Sequence, residues 1–195
     1  MRPDPSPHAA DGPAPLALTV VLAHLDVADS EDVLRSLAGR LLDAGAVTVD
    51  FPEALRTRER TYPTGLPTSV PTAIPHADPE HVLTPGLALA TLARPVPFGE
   101  MGTRDGTVDV RLVAMPLLTD AREHLEALQR LMGLLSDEAA VQDLLDATDD
   151  QQLRERAEAR LAAALPRAAS GRRDARGLAE TDGAGGADGT SGTGA

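Results

Sequence analysis

Residues 87–135, LALATLARPVPFGEMGTRDGTVDVRLVAMPLLTDAREHLEALQRLMGLL, change their hydrophobic period once, and that change decides the fold class. Leu87 to Leu92 and Val108 to Met115 are short apolar runs that read as strands. They are joined through PFGEMGTRDG, in which the Asp105-Gly106 pair marks a hairpin-like turn. Beyond Pro116 the pattern turns helical. Asp120 can cap the helix, Glu123 follows three residues on, and Leu125, Leu128, Leu131, Met132 and Leu135 recur near the 3.6-residue period.

Working outward, Leu16 to Leu25 is short and β-branched enough to be a buried strand. A helix follows, capped by Asp29 or Ser30, with Val33, Leu37 and Leu41 on one face and Gly45 as its stop. Asp50 and Glu53 form a capping-box pattern for a second helix, which ends at Tyr62 before Pro63. The proline-dense stretch YPTGLPTSVPTAIPHADPEHVLTPG reads as loop, with at most a short strand around Ala73 and Ile74. Helical stretches near Asp137 to Ala147 and Asp149 to Leu165 complete the pattern. The expectation is an α/β sandwich, a mixed sheet flanked by helices, forming a single domain over 15–165. Residues 1–14 and the Gly/Ala/Asp-rich 166–195 bury too little apolar surface to offset their ordering entropy and are expected to be disordered tails.

Composition narrows the function. The 195 residues are 42% apolar but only 2% aromatic, so the core is built of Leu, Val and Ala. A formal net charge of −12 argues against nucleic acid as a partner and suits a basic protein. Without cysteine the chain has no disulfide framework and no thiolate nucleophile. No apolar run long enough to span a bilayer or to serve as an export signal is present, so the expected location is cytoplasmic.

Chemistry has to come from histidine. His8 falls in the N-terminal tail, and His24 closes the first strand as a partly buried, hydrogen-bonded residue. His76 follows Ile74-Pro75 in a loop of fixed backbone, a placement that suits a nucleophile. His124 lies in the first turn of the long helix and shares a face with Leu128, Leu131 and Leu135, which also fits a residue at the edge of the core. The His76, Asp78, His81 spacing raises a metal site, yet Pro75 and Pro79 bracket it and no helix or strand period aligns the three, so no metal is expected and Asp78 and His81 read as loop and cap residues. There is no glycine-rich phosphate cradle and no GxSxG elbow, so neither a nucleotide kinase nor a serine hydrolase is supported.

The segment RERTYPTGLPTSVPTAIPHADPEHV, Arg58 to Val82, resembles the enzyme IIA proteins of the fructose/mannitol superfamily of the sugar phosphotransferase system, specifically the galactitol-type branch. The likeness continues through PVPFGEMGTRDG into REHLEALQRLMGLLSDE and covers about Leu16 to Leu165. It implies that His76 of the IPH motif accepts a phosphoryl group from the histidine phosphocarrier protein HPr. The group then passes to a cysteine of enzyme IIB, a step that needs no cofactor. It also implies that His124 and an arginine of the RE pair, Arg58 with Arg60 as the alternative, line the same pocket. Ala77 stands where mannitol and fructose members have Gly, which points to the galactitol-type branch. Contact with the membrane would then be indirect, through a IIC permease. Because transferred phosphoryl groups carry charge on their equatorial oxygens, Arg58, His124 and backbone N–H groups around Thr64 and Gly65 are the expected donors. A regulatory enzyme IIA-like protein, whose His76 phosphorylation is read by a partner, is the alternative.

Overall fold

A computed structural model describes residues 17–119 and 121–163, with 121–127 given by backbone alone. Asp120, His8 and the tails expected at 1–14 and 166–195 lie outside the described residues. The elements run β1 (Leu18–Leu25), α1 (Ser30–Asp43), α2 (Phe51–Thr61), β2 (Gly65–Leu66), β3 (Thr72–Ala73), a 3-10 turn (Pro79–His81), β4 (Gly86–Gly99), β5 (Thr107–Leu117), α3 (Ala121–Ser136), α4 (Glu138–Leu145) and α5 (Asp150–Ala163).

The strands form one mixed sheet in the order β1-β4-β5-β3-β2. β1 is parallel to β4 and β3 to β5, while β4–β5 and β2–β3 are antiparallel. Strand alternation sorts the core into two layers. Ala88, Ala90, Val113 and Met115 face Val33, Leu37, Leu41, Phe51 and Leu55 of α1 and α2. Leu87, Leu89, Leu112 and Ala114 face Leu131, Leu135, Val141, Leu144 and Leu153 of α3, α4 and α5. With helices on both faces, β4 and β5 need continuous apolar runs rather than polar alternation, which is how their sequences read.

Local chemistry sets the boundaries. Asp29 caps α1, its carboxylate accepting the Asp32 N–H at 2.9 Å. Gly45 stops that helix with a φ of 65°, a left-handed angle that costs a residue without Cβ little. The capping box at Asp50 does not form. Its carboxylate takes the Thr48 hydroxyl and faces His81 Nδ1 at 3.3 Å, and Glu53 turns to Arg56. The Asp50 carbonyl closes the first turn of α2 instead, accepting the N–H groups of Glu53 and Ala54.

Strand β4 runs past the expected Leu92 to Gly99, through Pro95 and Pro97. The two prolines have the same parity, so their missing donors face one edge, and beyond Leu92 β4 has lost its β1 neighbour on that edge. The β4–β5 connection therefore narrows to residues 100–106, with Asp105-Gly106 at its end. The β1 edge is covered by α5: Asp150 accepts the Ala23 N–H at 2.6 Å, and Arg154 donates to the Leu18 carbonyl at 2.6 Å. Among the described residues no helix is long and apolar enough to cross a membrane.

Candidate functional site

Two glycine-bearing turns lock together to form the walls of the site. At Gly65 an added Cβ would lie 2.6 Å from the Gly99 carbonyl and 2.5 Å from Val108, and at Gly99 it would lie 2.7 Å from Pro63. Only residues without Cβ allow that approach. The Met101 N–H then donates to the Gly65 carbonyl at 2.8 Å, which draws the loop after β4 over the PTG turn. On the other side Glu59, in the last turn of α2, anchors the same turn by accepting the Thr64 N–H at 3.0 Å and the Thr64 hydroxyl at 2.7 Å. Burial pushes the Glu59 carboxyl above its ordinary range, with the two Thr64 bonds pulling the other way.

The cleft between these walls has a volume of about 440 Å³, and His76, Arg58, Tyr62, Thr64 and Met101 are among its lining residues. His76 follows β3 by three residues, with Pro75 buried behind it. Its Nδ1 lies 2.9 Å from the Ile74 carbonyl, and its Nε2 lies 2.9 Å from Nη2 of Arg58. A carbonyl can only accept and a guanidinium can only donate. Nδ1 therefore carries the proton, and Nε2 offers its lone pair to Arg58. Arg58 is held by two further contacts: Nη1 donates to Asp78 Oδ1 at 3.1 Å, and the guanidinium sits 5.8 Å from the centre of the Tyr62 ring.

The structure thus brings His76, Arg58 and Thr64 into one cleft and leaves other expected residues elsewhere. Of the two arginines, Arg58 meets the imidazole, whereas the exposed Arg60 turns to Thr57 and Glu53. Thr64 lines the cleft, but both its donors belong to Glu59, and the Gly65 carbonyl is taken by Met101; these two residues shape the wall. His81 does not converge with His76 and Asp78, since it faces Asp50. His24 is exposed rather than partly buried and takes a φ of 52° at an irregularity in β1, its N–H donating to the Thr91 hydroxyl at 2.8 Å. Strand directions put that bulge at the end of the sheet opposite His76. The chain leaves β5 at the His76 end, so α3 starts there and carries His124 as its fourth residue. The His124 side chain lies outside the described residues.

Sequence reading missed the contacts of Asp78, Tyr62 and Glu59. Tyr62 stands four residues after Arg58, the spacing at which helix neighbours touch, and was legible on that ground. The Asp78 pairing joins residues 20 apart along the chain, and no local period announces it.

A neutral imidazole with its lone pair beside a permanent cation can take an electrophilic phosphoryl group. In such a step Nε2 would form the new bond to phosphorus while the group that delivers the phosphoryl keeps the electron pair of the bond that breaks. The ring would then be a phosphoimidazolium that keeps its proton on Nδ1, donated to the Ile74 carbonyl. If the group were passed on, the ring would depart as neutral imidazole, a better leaving group than imidazolate. Arg58, already beside Nε2, is placed to meet charge on the equatorial oxygens of such a group.

Residues 16–158 match the family described as phosphoenolpyruvate-dependent sugar phosphotransferase system, EIIA 2. A multiphosphoryl transfer protein of Escherichia coli O157:H7 is 31% identical over 127 residues, 65% of this chain and 32% of that protein. The chain thus spans about a third of the length of the curated relatives it matches. Among solved structures, the complex of mannitol enzyme IIA with phosphorylated enzyme IIB from Escherichia coli aligns at a TM-score of 0.57 and 25% identity, covering 72% of this chain and 92% of that one. Nitrogen regulatory protein IIA-Ntr from Neisseria meningitidis aligns at 0.53 and 25%, covering 71% and 92%. With the family match running from before β1 into α5, the chain belongs to the EIIA 2 family of the phosphoenolpyruvate-dependent sugar phosphotransferase system.

Proposed function

We propose that the chain is the phosphoryl carrier, enzyme IIA, of a sugar phosphotransferase system, accepting the group on Nε2 of His76 from HPr and passing it to a cysteine of enzyme IIB. The observation that carries this reading is the pair of 2.9 Å contacts that hold His76 as a neutral Nδ1–H imidazole with its Nε2 lone pair against Arg58. Family membership supports phosphoryl transfer as the chemistry, and the mannitol enzyme IIA captured with phosphorylated enzyme IIB supports the acceptor. Arg58 neutralises the phosphoryl oxygens, and His124, on the helix that begins at the same end of the sheet, supplies a further donor. Thr64 and Gly65 shape the cleft wall around the group. The carrier works without metal or cofactor in the cytoplasm and meets the membrane only through a IIC permease. Ala77 after the active histidine favours a galactitol-like sugar or polyol, although solved relatives with a stated sugar are mannitol proteins.

Incubation with phosphoenolpyruvate, enzyme I and HPr, followed by mass spectrometry under alkaline conditions, should find one acid-labile phosphate on the peptide containing His76. His76→Ala should abolish it with little change in the melting curve, since the partly buried ring belongs to neither layer of the core. Label retained in that variant would overturn the assignment. The likeness to IIA-Ntr supports a second reading, in which a partner reads the His76 phosphorylation state. Transfer of the label to a IIB cysteine decides for transport, and label that stays on His76 in its presence decides for regulation.

A further inference from the structure

We infer that Asp78 competes with the phosphoryl group for Arg58 and so keeps the phosphorylated form of the protein poised to give the group away. This rests on the reading of His76 as the acceptor. One guanidinium serves two claimants. Nη2 donates to Nε2 of His76 at 2.9 Å and Nη1 to Oδ1 of Asp78 at 3.1 Å. When phosphorus bonds Nε2, the lone pair that received Nη2 is gone, and Nη2 is released to a phosphoryl oxygen. A guanidinium meets such an anion best with two parallel N–H groups: end-on these come from Nη2 and Nη1, and Nη1 is turned to Asp78, while the Nε of the side-on pair is buried away from the cleft surface. Either Asp78 lets go and leaves its carboxylate beside a group of the same sign, or it holds on and leaves the phosphoryl group with half the fork. Both outcomes make the phosphorylated state less stable than it would be beside an uncharged residue, without touching the reacting atoms.

The exposures fit such a device. The Asp78 side chain is 60% exposed and can turn to water, whereas that of Arg58 is 30% exposed and is further held over Tyr62. In the unphosphorylated protein the same carboxylate holds Nη1 so that Nη2 points at Nε2, which makes Asp78 a positioning residue that acts through Arg58. A carrier needs this balance, because a full clamp on the phosphoryl group would deepen the intermediate rather than lower the barrier out of it.

The test measures the equilibrium constant for phosphoryl exchange between phosphorylated HPr and the full chain, approached from both sides. Asp78→Asn keeps an oxygen for Nη1 but removes the charge. It should shift the equilibrium toward phosphorylated His76 by about fivefold, the scale of an exposed charge pair, and slow onward transfer to enzyme IIB by a similar factor. Asp78→Ser should shift it the same way, and Asp78→Glu should return it toward wild type. These shifts are expected with unchanged melting temperatures, so a merely structural role would not produce them. An unchanged equilibrium in the two neutral variants, or a shift toward the unphosphorylated side, overturns the proposal while leaving His76 as acceptor. Wild-type protein that takes no label on His76 overturns both.

Discussion

Arg58 links the His76 imidazole, with which the family resemblance already paired it, to two neighbours that sequence reading treated separately, the Asp78 carboxylate and the Tyr62 ring. Its planar fork makes the first two contacts simultaneously, which a single ammonium on a flexible stem does not reproduce. Arg58→Lys should therefore keep the charge yet slow phosphorylation of His76 on the order of tenfold to a hundredfold, the cost of losing one charge-assisted donor. Single-turnover transfer from phosphorylated HPr measures this, and a rate within twofold of wild type would reduce Arg58 to a diffuse charge. His124→Ala should still accept the group on His76 but pass it to enzyme IIB about a hundredfold more slowly, as for the loss of one oxyanion-type donor. Glu59 carries a pH signature of its own. Because burial raises its pKa in the folded state, the folded chain holds this proton more tightly than the unfolded chain does. Its contribution to stability is complete below the ordinary glutamate value and is lost as pH rises through the raised one. Glu59→Gln keeps an acceptor for the Thr64 N–H and can donate its own amide N–H to the Thr64 hydroxyl oxygen, so the melting temperature of wild type should fall relative to this variant as pH rises from about 4 to 7. Parallel curves would mean that the carboxyl titrates as in water.

At the scale of elements, the site depends on how closely the PTG turn approaches the end of β4. Gly65→Ala would put a methyl group 2.6 Å from the Gly99 carbonyl, so backbone must move. A loss of about 1 to 3 kcal/mol in urea unfolding is expected, as for other overpacked sites. Phosphorylation should weaken along with it, because Met101 loses its hold on the Gly65 carbonyl. This contact also explains what was legible in the sequence and what was not. The two strands, α1 and the long α3 follow from period, caps and breakers, all of which are local. The Asp50–Glu53 box failed because Thr48 and His81, brought in by the fold, outcompete the local bond for the carboxylate. The extension of β4 through Pro95 and Pro97 was hidden for a similar reason: proline argues against a strand until the neighbour on one edge is known to end. Likewise His76 and Arg58 were nameable from their motifs, whereas the imidazole tautomer and the role of Asp78 needed distances between segments remote in sequence.

At the scale of the whole molecule, a net charge of −12 sets the conditions of encounter. A partner drawn to such a surface is basic, and the attraction acts over about 10 Å at 0.1 M salt and about 3 Å at 1 M. The association rate with phosphorylated HPr should therefore fall about tenfold between 0.05 and 0.5 M salt, with the unimolecular transfer step little changed. A salt-independent association rate would mean that the acidic surface faces away from the docking site. The two margins of the sheet limit how that docking happens. On one, α5 has already taken the Ala23 N–H and the Leu18 carbonyl; on the other, β2 is two residues long and runs into Pro67. Among the described residues, neither margin offers a long uninterrupted row of free main-chain groups on which a visiting peptide zips itself in as an extra strand. If the chain acts as the proposed carrier, its recognition would be written in side chains around His76, so partner choice could drift by single surface substitutions while the backbone stays as it is.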